Sequence, residues 1–420
     1  MEIPDIDITT RNNALVDQLK SAGLISSPQV EAAFRAIPRH LFVPDIDLDR
    51  VYRDEVIVTK QSATGAPTSS CEQPAIVAVM LEQLGVQPGQ HVLEIGAGTG
   101  HVAALLAHIV GPTGRVTTID IQPDLVEAAR EHLAAAGFPQ VHVICADGGF
   151  GYAEDAPYDR IILTVGSSDL TPAWQEQLQV GGRLVLPLYV LPGVQRSVAF
   201  QKTETGLASL SLKPCGFMPL QGAFMAEQLR EVELGSEPGL TFVLDHGGTV
   251  DAEAIYRLLS SPHRDLATDI TVTPRELLGG LGPWLTLNEP ISCGVGARGK
   301  WLGRRLVPCL LGLANQFCGT GGLMDGAQRL ALLARPSDRP LPADFRTDDA
   351  PFPLHVISYG PDDVLADRLT HQVETWAKCG HPTFEQTHIT AHPRGIDYAP
   401  SVGEYLLVRP SIQFVLSWSA

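Results

Sequence analysis

Long apolar runs are missing from this chain. No stretch approaches the ~18 consecutive apolar residues that a membrane-spanning helix needs, so a membrane partner is not expected. Positive charge is scarce: 30 Lys and Arg stand against 47 Asp and Glu, a formal net charge of −17. Such a balance repels phosphate backbones and argues against a nucleic-acid substrate. Cys-x-x-Cys pairs are absent, and the seven cysteines at 71, 145, 215, 293, 309, 318 and 379 are scattered and odd in number. They read as free thiols of a reducing, cytoplasmic setting. The first residues, Met1-Glu2-Ile3-Pro4-Asp5, are acidic, no apolar run follows them, and no leader is expected. No internal repeat and no low-complexity tract interrupts the chain. What is present is an ordinary globular composition, 44 % apolar over 420 residues, enough for two or three domains with a large core.

The order of elements follows from periodicity and punctuation. Asn12 to Phe34 reads as two helices parted by Gly23, with Ser27-Pro28 as cap and first turn of the second. Arg39 to Pro44 reads as extended, and the Ser-, Thr-, Gly- and Gln-rich stretch Thr59 to Ser70 as a loop. Strands then alternate with helices: strands at 92–95, 115–120, 141–145, 158–164 and 183–188, helices at 101–110, 123–136 and 171–179. This alternation predicts an α/β fold, a doubly wound Rossmann-like parallel sheet behind N-terminal helices. Strands at 197–200 and 207–212 are expected to close the sheet edge as a hairpin. Beyond residue 215 the elements shorten and Pro and Gly rise. The expected division is 1–215 as a catalytic domain and 216–420 as an α+β accessory region, itself divided near 340–353, where Pro336 to Pro353 reads as a linker.

The informative motif joins the first strand of that alternation to its helix: Glu94-Ile95-Gly96-Ala97-Gly98-Thr99-Gly100. Glycines there let the backbone turn tightly and approach a ligand, and the helix behind them offers free N–H groups. A dinucleotide site uses a related loop. Here the Gly-x-Gly-x-Gly spacing and the preceding acid suit a cofactor with an amino-acid end and no pyrophosphate, S-adenosylmethionine, with Glu94 toward its ammonium. Asp120, about 20 residues on at the next strand end, is the candidate acceptor of both ribose hydroxyls, with Ile121 beside it. Asp147 and Gly148 follow the third strand, where an adenine edge would be met.

The chain resembles the protein-L-isoaspartate (D-aspartate) O-methyltransferase family over about residues 12–190. The resemblance rests on Ala33-Phe34-Arg35-Ala36-Ile37-Pro38-Arg39 with Phe42-Val43-Pro44, on Gln73-Pro74 opening a helix, and on the glycine loop. Asp147-Gly148, Pro157-Tyr158-Asp159 and Gly181 to Pro187 complete the order. It implies methyl transfer from S-adenosylmethionine to an aspartate-derived carboxylate, whose ester then closes to a succinimide. A carboxylate with a reference pKa near ~4 is already ionised at neutral pH, so neither a general base nor a metal is expected. The family places a serine directly before the Gln-Pro pair to help hold the substrate carboxylate. Here that residue is Glu72, and Ser69 or Ser70 is left to supply the hydroxyl; these three are the catalytic candidates. His101 stands where an aromatic residue is more usual. With Gln73, Thr164 and Val165 it is a candidate for substrate binding.

Repair enzymes of the family are short. Extended relatives resemble methyltransferases that act on cyclised, ribosomally made precursor peptides, turning an aspartate into aspartimide or isoaspartate. The leading expectation is that activity, on a peptide partner, by a monomer or homodimer. The alternatives are repair of isoaspartyl residues in damaged proteins and a non-catalytic cofactor-binding adaptor. In the second region, His381, His388 and His392 invite a zinc reading, but surface or capping roles are expected. Asp245-His246-Gly247-Gly248 reads as a structural turn, and Trp284, Trp301, Trp376 and Trp418 as core.

Overall fold

The computed structural model describes residues 5–63, 65–225, 231–304, 306–313, 316–326, 328–336 and 349–418. It divides into two compact units: residues 1–190, 195–226 and 388–417 in one, and 191–194, 227–387 and 418–420 in the other.

The first unit opens with helices α1 (Asp5–Ser21) and α2 (Pro28–Ala36). As the Ser-Pro pair predicts, the Ser27 hydroxyl accepts from the Val30 amide at 3.4 Å, with Pro28 in the first turn. Arg39–Phe42, expected to be extended, is a 3-10 turn. It turns because Arg39 is swallowed: 2 % exposed, its guanidinium donates to five carbonyl oxygens, of Val51, Arg53, Glu55, Cys71 and Glu72. A one-turn helix α3 (Leu48–Val51) follows. The stretch read as a loop contains an antiparallel hairpin, β1 (Ile57–Gln61) and β2 (Pro67–Cys71). Its polar composition hid it. The β-branched Ile57, Val58, Thr59 and Thr68 suit a strand, and Arg39 binds the carbonyls at the hairpin's base. Helix α4 (Pro74–Leu84) starts at the Gln-Pro pair. Gln73 does not cap it; Asp54 does, accepting from the Ala75 amide at 2.8 Å and the Gln73 side chain at 2.9 Å.

The alternation then runs as the periodicity predicts, through β3 (His91–Ile95), α5 (His101–Val110), β4 (Arg115–Asp120), α6 (Pro123–Ala135), β5 (His142–Cys145), β6 (Tyr158–Leu163) and α7 (Pro172–Gln177). Strands β7 (Leu178–Leu191), β8 (Val194–Lys202) and β9 (Leu207–Pro214) follow. β5, β4, β3, β6 and β7 lie side by side and parallel. The chain leaves β3 toward β4 and returns on its other side as β6, so a crevice opens at the carboxyl ends of these strands. Helix α5 is almost wholly buried, as its continuous apolar sequence requires.

The second unit is built on a separate antiparallel sheet. Its elements are β10 (Val232–Glu233), β11 (Leu240–Leu244), α8 (Ala252–Leu259), β12 (His263–Val272), α9 (Pro274–Glu276) and α10 (Gly282–Asn288). Next come β13 (Ser292–Arg298), β14 (Leu311–Leu313), β15 (Phe317–Asp325), β16 (Arg329–Ala334), β17 (Phe352–Tyr359) and α11 (Val364–Lys378). The sheet has eight strands, in the order β10-β11-β13-β15-β16-β17-β12 with β14 beside β15. Cys309 and Cys318 are joined as a disulfide, so the expectation of seven free thiols fails for this pair; the other five cysteines are free. Residues 337–348 of the expected linker lie outside the described residues.

The last strands return to the first sheet. β18 (Thr387–Pro393), β19 (Glu404–Val408) and β20 (Ile412–Trp418) extend it to ten, in the order β19-β20-β18-β9-β8-β7-β6-β3-β4-β5. β18 pairs with β9 through Thr390 with Ala208 and Ala391 with Leu207. The hairpin of β8 and β9 is therefore internal, not the edge. A single cut at 215 is corrected on the same ground, since residues 388–417 lie in the first unit. Among the described residues, no helix is long and apolar enough to cross a membrane.

Candidate functional site

A cleft enclosing about 580 Å³ of space, part of it open to solvent, lies in the first unit at the crevice beside β3. Its floor is the glycine loop. The Gly96 and Gly98 amide nitrogens have different tasks: Gly96 donates to the Ile119 carbonyl at 2.8 Å, and Gly98 to Asp120 Oδ2 at 3.0 Å. Gly96 has φ +103°, and a Cβ there would meet Thr164 Oγ1 at 2.6 Å, so neither backbone nor space admits a side chain. Thr164 locks the loop by donating to the Gly96 carbonyl at 2.7 Å.

Asp120 sits at the end of β4 and lines the cavity. Each of its oxygens accepts one backbone amide, Gly98 at 3.0 Å and Gln122 at 3.0 Å, which holds the carboxylate still and leaves further lone pairs for a ligand. Burial pushes its carboxyl above the usual aspartate range, and the amides of Gln122 and Gly98 oppose that rise. Glu94 is placed differently from expectation. It is fully buried in β3, does not line the cavity, and accepts from the Thr118 hydroxyl at 2.5 Å, while its other oxygen has no partner. Burial raises its carboxyl well above the usual range. Ala97, Thr99 and Gly100 shape the loop without lining the cavity.

The hairpin forms the adjoining wall, with the Ser70 carbonyl oxygen 3.5 Å from where a Cβ of Gly98 would stand. Thr68, Ser69, Ser70 and Glu72 all line the cavity. The Thr59 hydroxyl donates to Ser69 Oγ at 3.1 Å. Lys60 ties the hairpin to α6, bonding Gln122 at 2.7 Å and Asp124 at 2.6 Å. The Glu72 carboxyl is pushed up to about 7, first by burial and further by the charge on Asp120, against the pull of Arg39.

Of the expected substrate contacts, Thr164 and Val165 line the cavity. Gln73 is exposed and bonded to Asp54, and His101 is 3 % exposed with its ring 5.2 Å from that of Phe42, so neither reaches the cavity. Burial lowers the His101 pKa to about 3, making it a neutral core residue. Gly148 and Ile121 are in the lining, but the Asp147 carboxylate is spent on the amides of Gly149 at 2.9 Å and Ala223 at 2.7 Å. Asp147 thus fastens a wall that the sequence reading missed, Met218-Pro219-Leu220-Gln221, which also pairs with Gly166 in both directions at 2.7 Å. The only signal for it was an apolar Phe-Met-Pro-Leu run just past the strands, and the cut at 215 assigned that run to the second region.

The histidines considered for zinc have separate partners: His381 bonds Glu276 at 2.7 Å, His388 bonds Ser209 at 3.3 Å, and His392 bonds Thr390 at 3.0 Å. Among the described residues, no group of three or more His, Cys, Asp and Glu is placed to hold a metal. His246 bonds the Thr286 carbonyl at 2.7 Å, tying the Asp245 to Gly248 turn to α10. Trp284, Trp301 and Trp376 are buried, as expected of core residues.

The cavity lining contains Glu72 and Asp120 and no Lys, Arg or His. With Asp120 as the acceptor it therefore suits a nucleoside with free ribose hydroxyls, and not a pyrophosphate. A Rossmann-like sheet with this cradle defines an S-adenosylmethionine-dependent methyltransferase. The family described as protein-L-isoaspartate (D-aspartate) O-methyltransferase matches residues 10–224, and the chain belongs to it. A protein-L-isoaspartate O-methyltransferase of Methanopyrus kandleri is 40 % identical over 210 residues, half of this chain and 90 % of that protein. One of Pyrococcus horikoshii is 39 % identical over 210 residues, 49 % of this chain and 91 % of its own. A solved structure named protein-L-isoaspartate O-methyltransferase, 23 % identical, covers 90 % of this chain and 96 % of its own with a TM-score of 0.50; that likeness concerns the fold. The protein is a carboxyl O-methyltransferase with S-adenosylmethionine as its cofactor.

Proposed function

We propose that this protein methylates the carboxylate of an isoaspartyl residue in a peptide or protein chain. The observation that carries this reading is the pairing, across one cavity, of a nucleoside cradle at Asp120 and Gly98 with a hydroxyl- and carboxyl-bearing hairpin at Ser69, Ser70 and Glu72. S-adenosylmethionine supplies an electrophilic methyl group when bound. The chain's residues orient and desolvate: Asp120 is placed for the ribose hydroxyls and the glycine loop for the amino-acid end. The hairpin and the Met218 to Gln221 wall hold the acceptor and exclude water. The acceptor oxygen is already ionised and needs no base.

The names of the matched relatives favour isoaspartyl residues over the aspartate of a modified precursor peptide. The test is methyl transfer from labelled S-adenosylmethionine to an isoaspartyl peptide, its aspartyl isomer and a cyclised precursor peptide. Methylation of the isoaspartyl peptide above the other two supports the reading. Methylation of only the cyclised aspartyl peptide replaces it with the precursor-directed activity. Cofactor binding without turnover on any of the three makes the chain an adaptor.

A further inference from the structure

Glu72 is the one residue of the substrate wall whose chemistry departs from the family pattern, and the structure shows what surrounds it. Its backbone carbonyl accepts from Arg39 Nη2 at 2.7 Å, which fixes the residue where β2 hands over to α4. Glu72 lines the cavity together with Ser69, Ser70, Gly98 and Asp120. Among the described residues, no side chain hydrogen-bonds its carboxyl. Three carboxyl or guanidinium side chains act on it or are acted on by it, Arg39 from the 3-10 turn, Asp120 from the end of β4 and Glu94 from β3, and its charge also raises the thiol of the adjoining buried Cys71. Arg39 is the only cation of the three, and its Nη groups are directed at backbone carbonyls, not at the Glu72 carboxylate. An ionised Glu72 would therefore face a cavity that already holds Asp120 and must accept a second carboxylate with the substrate. Two carboxylates at hydrogen-bond distance do not both stay ionised.

We infer that Glu72 binds the substrate carboxylate as a neutral acid, donating the hydrogen bond that a serine donates elsewhere in the family, so that substrate is accepted only by the protonated enzyme. This rests on the cavity being a carboxylate-methylating site. Burial supports it by raising the Glu72 carboxyl to about 7 in the ligand-free cavity, and an incoming substrate carboxylate raises it further. A serine donates at every pH. A glutamic acid donates only below its pKa, so this enzyme carries a pH gate on substrate binding and none on donor binding. The proton stays on Glu72 throughout. The substrate oxygen gains the methyl group, and the C–S bonding pair returns to sulfur.

The test follows kcat/KM for a synthetic isoaspartyl peptide from about pH 5.5 to about pH 9 at saturating donor. Wild type is expected to lose about tenfold per pH unit on the alkaline side, while the dissociation constant of S-adenosylhomocysteine stays level. Glu72→Gln and Glu72→Ser keep measurable turnover and lose the alkaline fall; Glu72→Ala drops at low pH by about tenfold or more. Calorimetry of peptide binding to the S-adenosylhomocysteine complex near pH ~8, in buffers of different ionisation enthalpy, should show uptake of about one proton by wild type and none by Glu72→Gln. An alkaline fall that persists in Glu72→Gln overturns the inference. So does the absence of proton uptake, or a loss of S-adenosylhomocysteine affinity in Glu72→Gln, which would make Glu72 an anion facing the donor. A wild type that methylates the peptide with a flat profile overturns the role of Glu72 alone. A wild type that methylates neither isoaspartyl nor aspartyl peptide overturns the proposed function, and this inference with it.

Discussion

Asp120 divides its two oxygens between two amides of the loops that it holds, and that division is what makes it stiff enough to select a ligand. Asn in its place keeps one acceptor, turns the other into a donor facing an amide, and removes the charge. Hydrogen bonds to charged groups are worth about 1.5–3 kcal/mol, so Asp120→Asn should weaken S-adenosylhomocysteine binding by roughly 10- to 100-fold, read by calorimetry. Glu72 carries a second consequence, in the free enzyme. Its folded pKa of about 7 lies above the 4.5 of an ordinary glutamate, so the folded state keeps a proton that the unfolded chain releases. The stability from this group is fully present below about pH 4.5 and is lost as pH rises through about 7, by an amount on the order of 3 kcal/mol. Thermal unfolding of the ligand-free protein across that window should show the loss, and Glu72→Gln should flatten it.

At the scale of elements, the hairpin of β1 and β2 is the part of the site that depends most on a distant residue. Arg39 satisfies five carbonyl oxygens drawn from three successive segments, and without it they are stranded. Arg39→Ala should cost about 3 kcal/mol or more. Arg39→Lys should recover only part, because a point-like ammonium cannot reach both sides of the fork; chemical denaturation with activity at a permissive temperature separates the two effects. These contacts also explain what could be read from sequence. The turn Gly96 to Gly100 after β3, Asp120 at the end of β4 and the strand–helix alternation were legible because periodicity and turn chemistry are local, whereas Glu94, assigned to the ligand, is buried away from the cavity. The Pro38-Arg39-x-x-Phe42-Val43-Pro44 stretch could be recognised, but its purpose could not, since the partners of Arg39 lie 12 to 33 residues away. Asp147 was assigned to the ligand from its place after β5, and only the fold reveals that Ala223 claims its carboxylate. In the second unit, β13 and β15 were invisible because Gly294, Gly296, Gly319, Gly321 and Gly322 dilute the apolar alternation on which strand recognition depends.

For the whole molecule, the first sheet is assembled from both ends of the chain. Relatives of roughly half this length match only the first half, which suggests a catalytic fragment ending near residue 226. The structure argues otherwise for this chain. Phe200 and Phe414 stack with centroids 6.4 Å apart, Ser411 donates to Asp169 at 2.8 Å, and Arg409 donates to the Val190 carbonyl at 2.9 Å. Removal of residues 388–417 would bare the outer edge of β9 and the apolar side chains under it, an invitation to edge-to-edge association. A chain ending at residue 226 should therefore aggregate or melt well below the full-length protein, as light scattering and calorimetry would show; a soluble, fully active fragment would refute this.

That arrangement also sets a clock on biosynthesis. Strands β18 to β20 follow the glycine loop by nearly the whole of the second unit, so the sheet that carries the cavity still lacks them while residues 215–386 are being made. Nascent chains and products of premature termination lack β18 to β20, and quality control can recognise them by the uncovered β9.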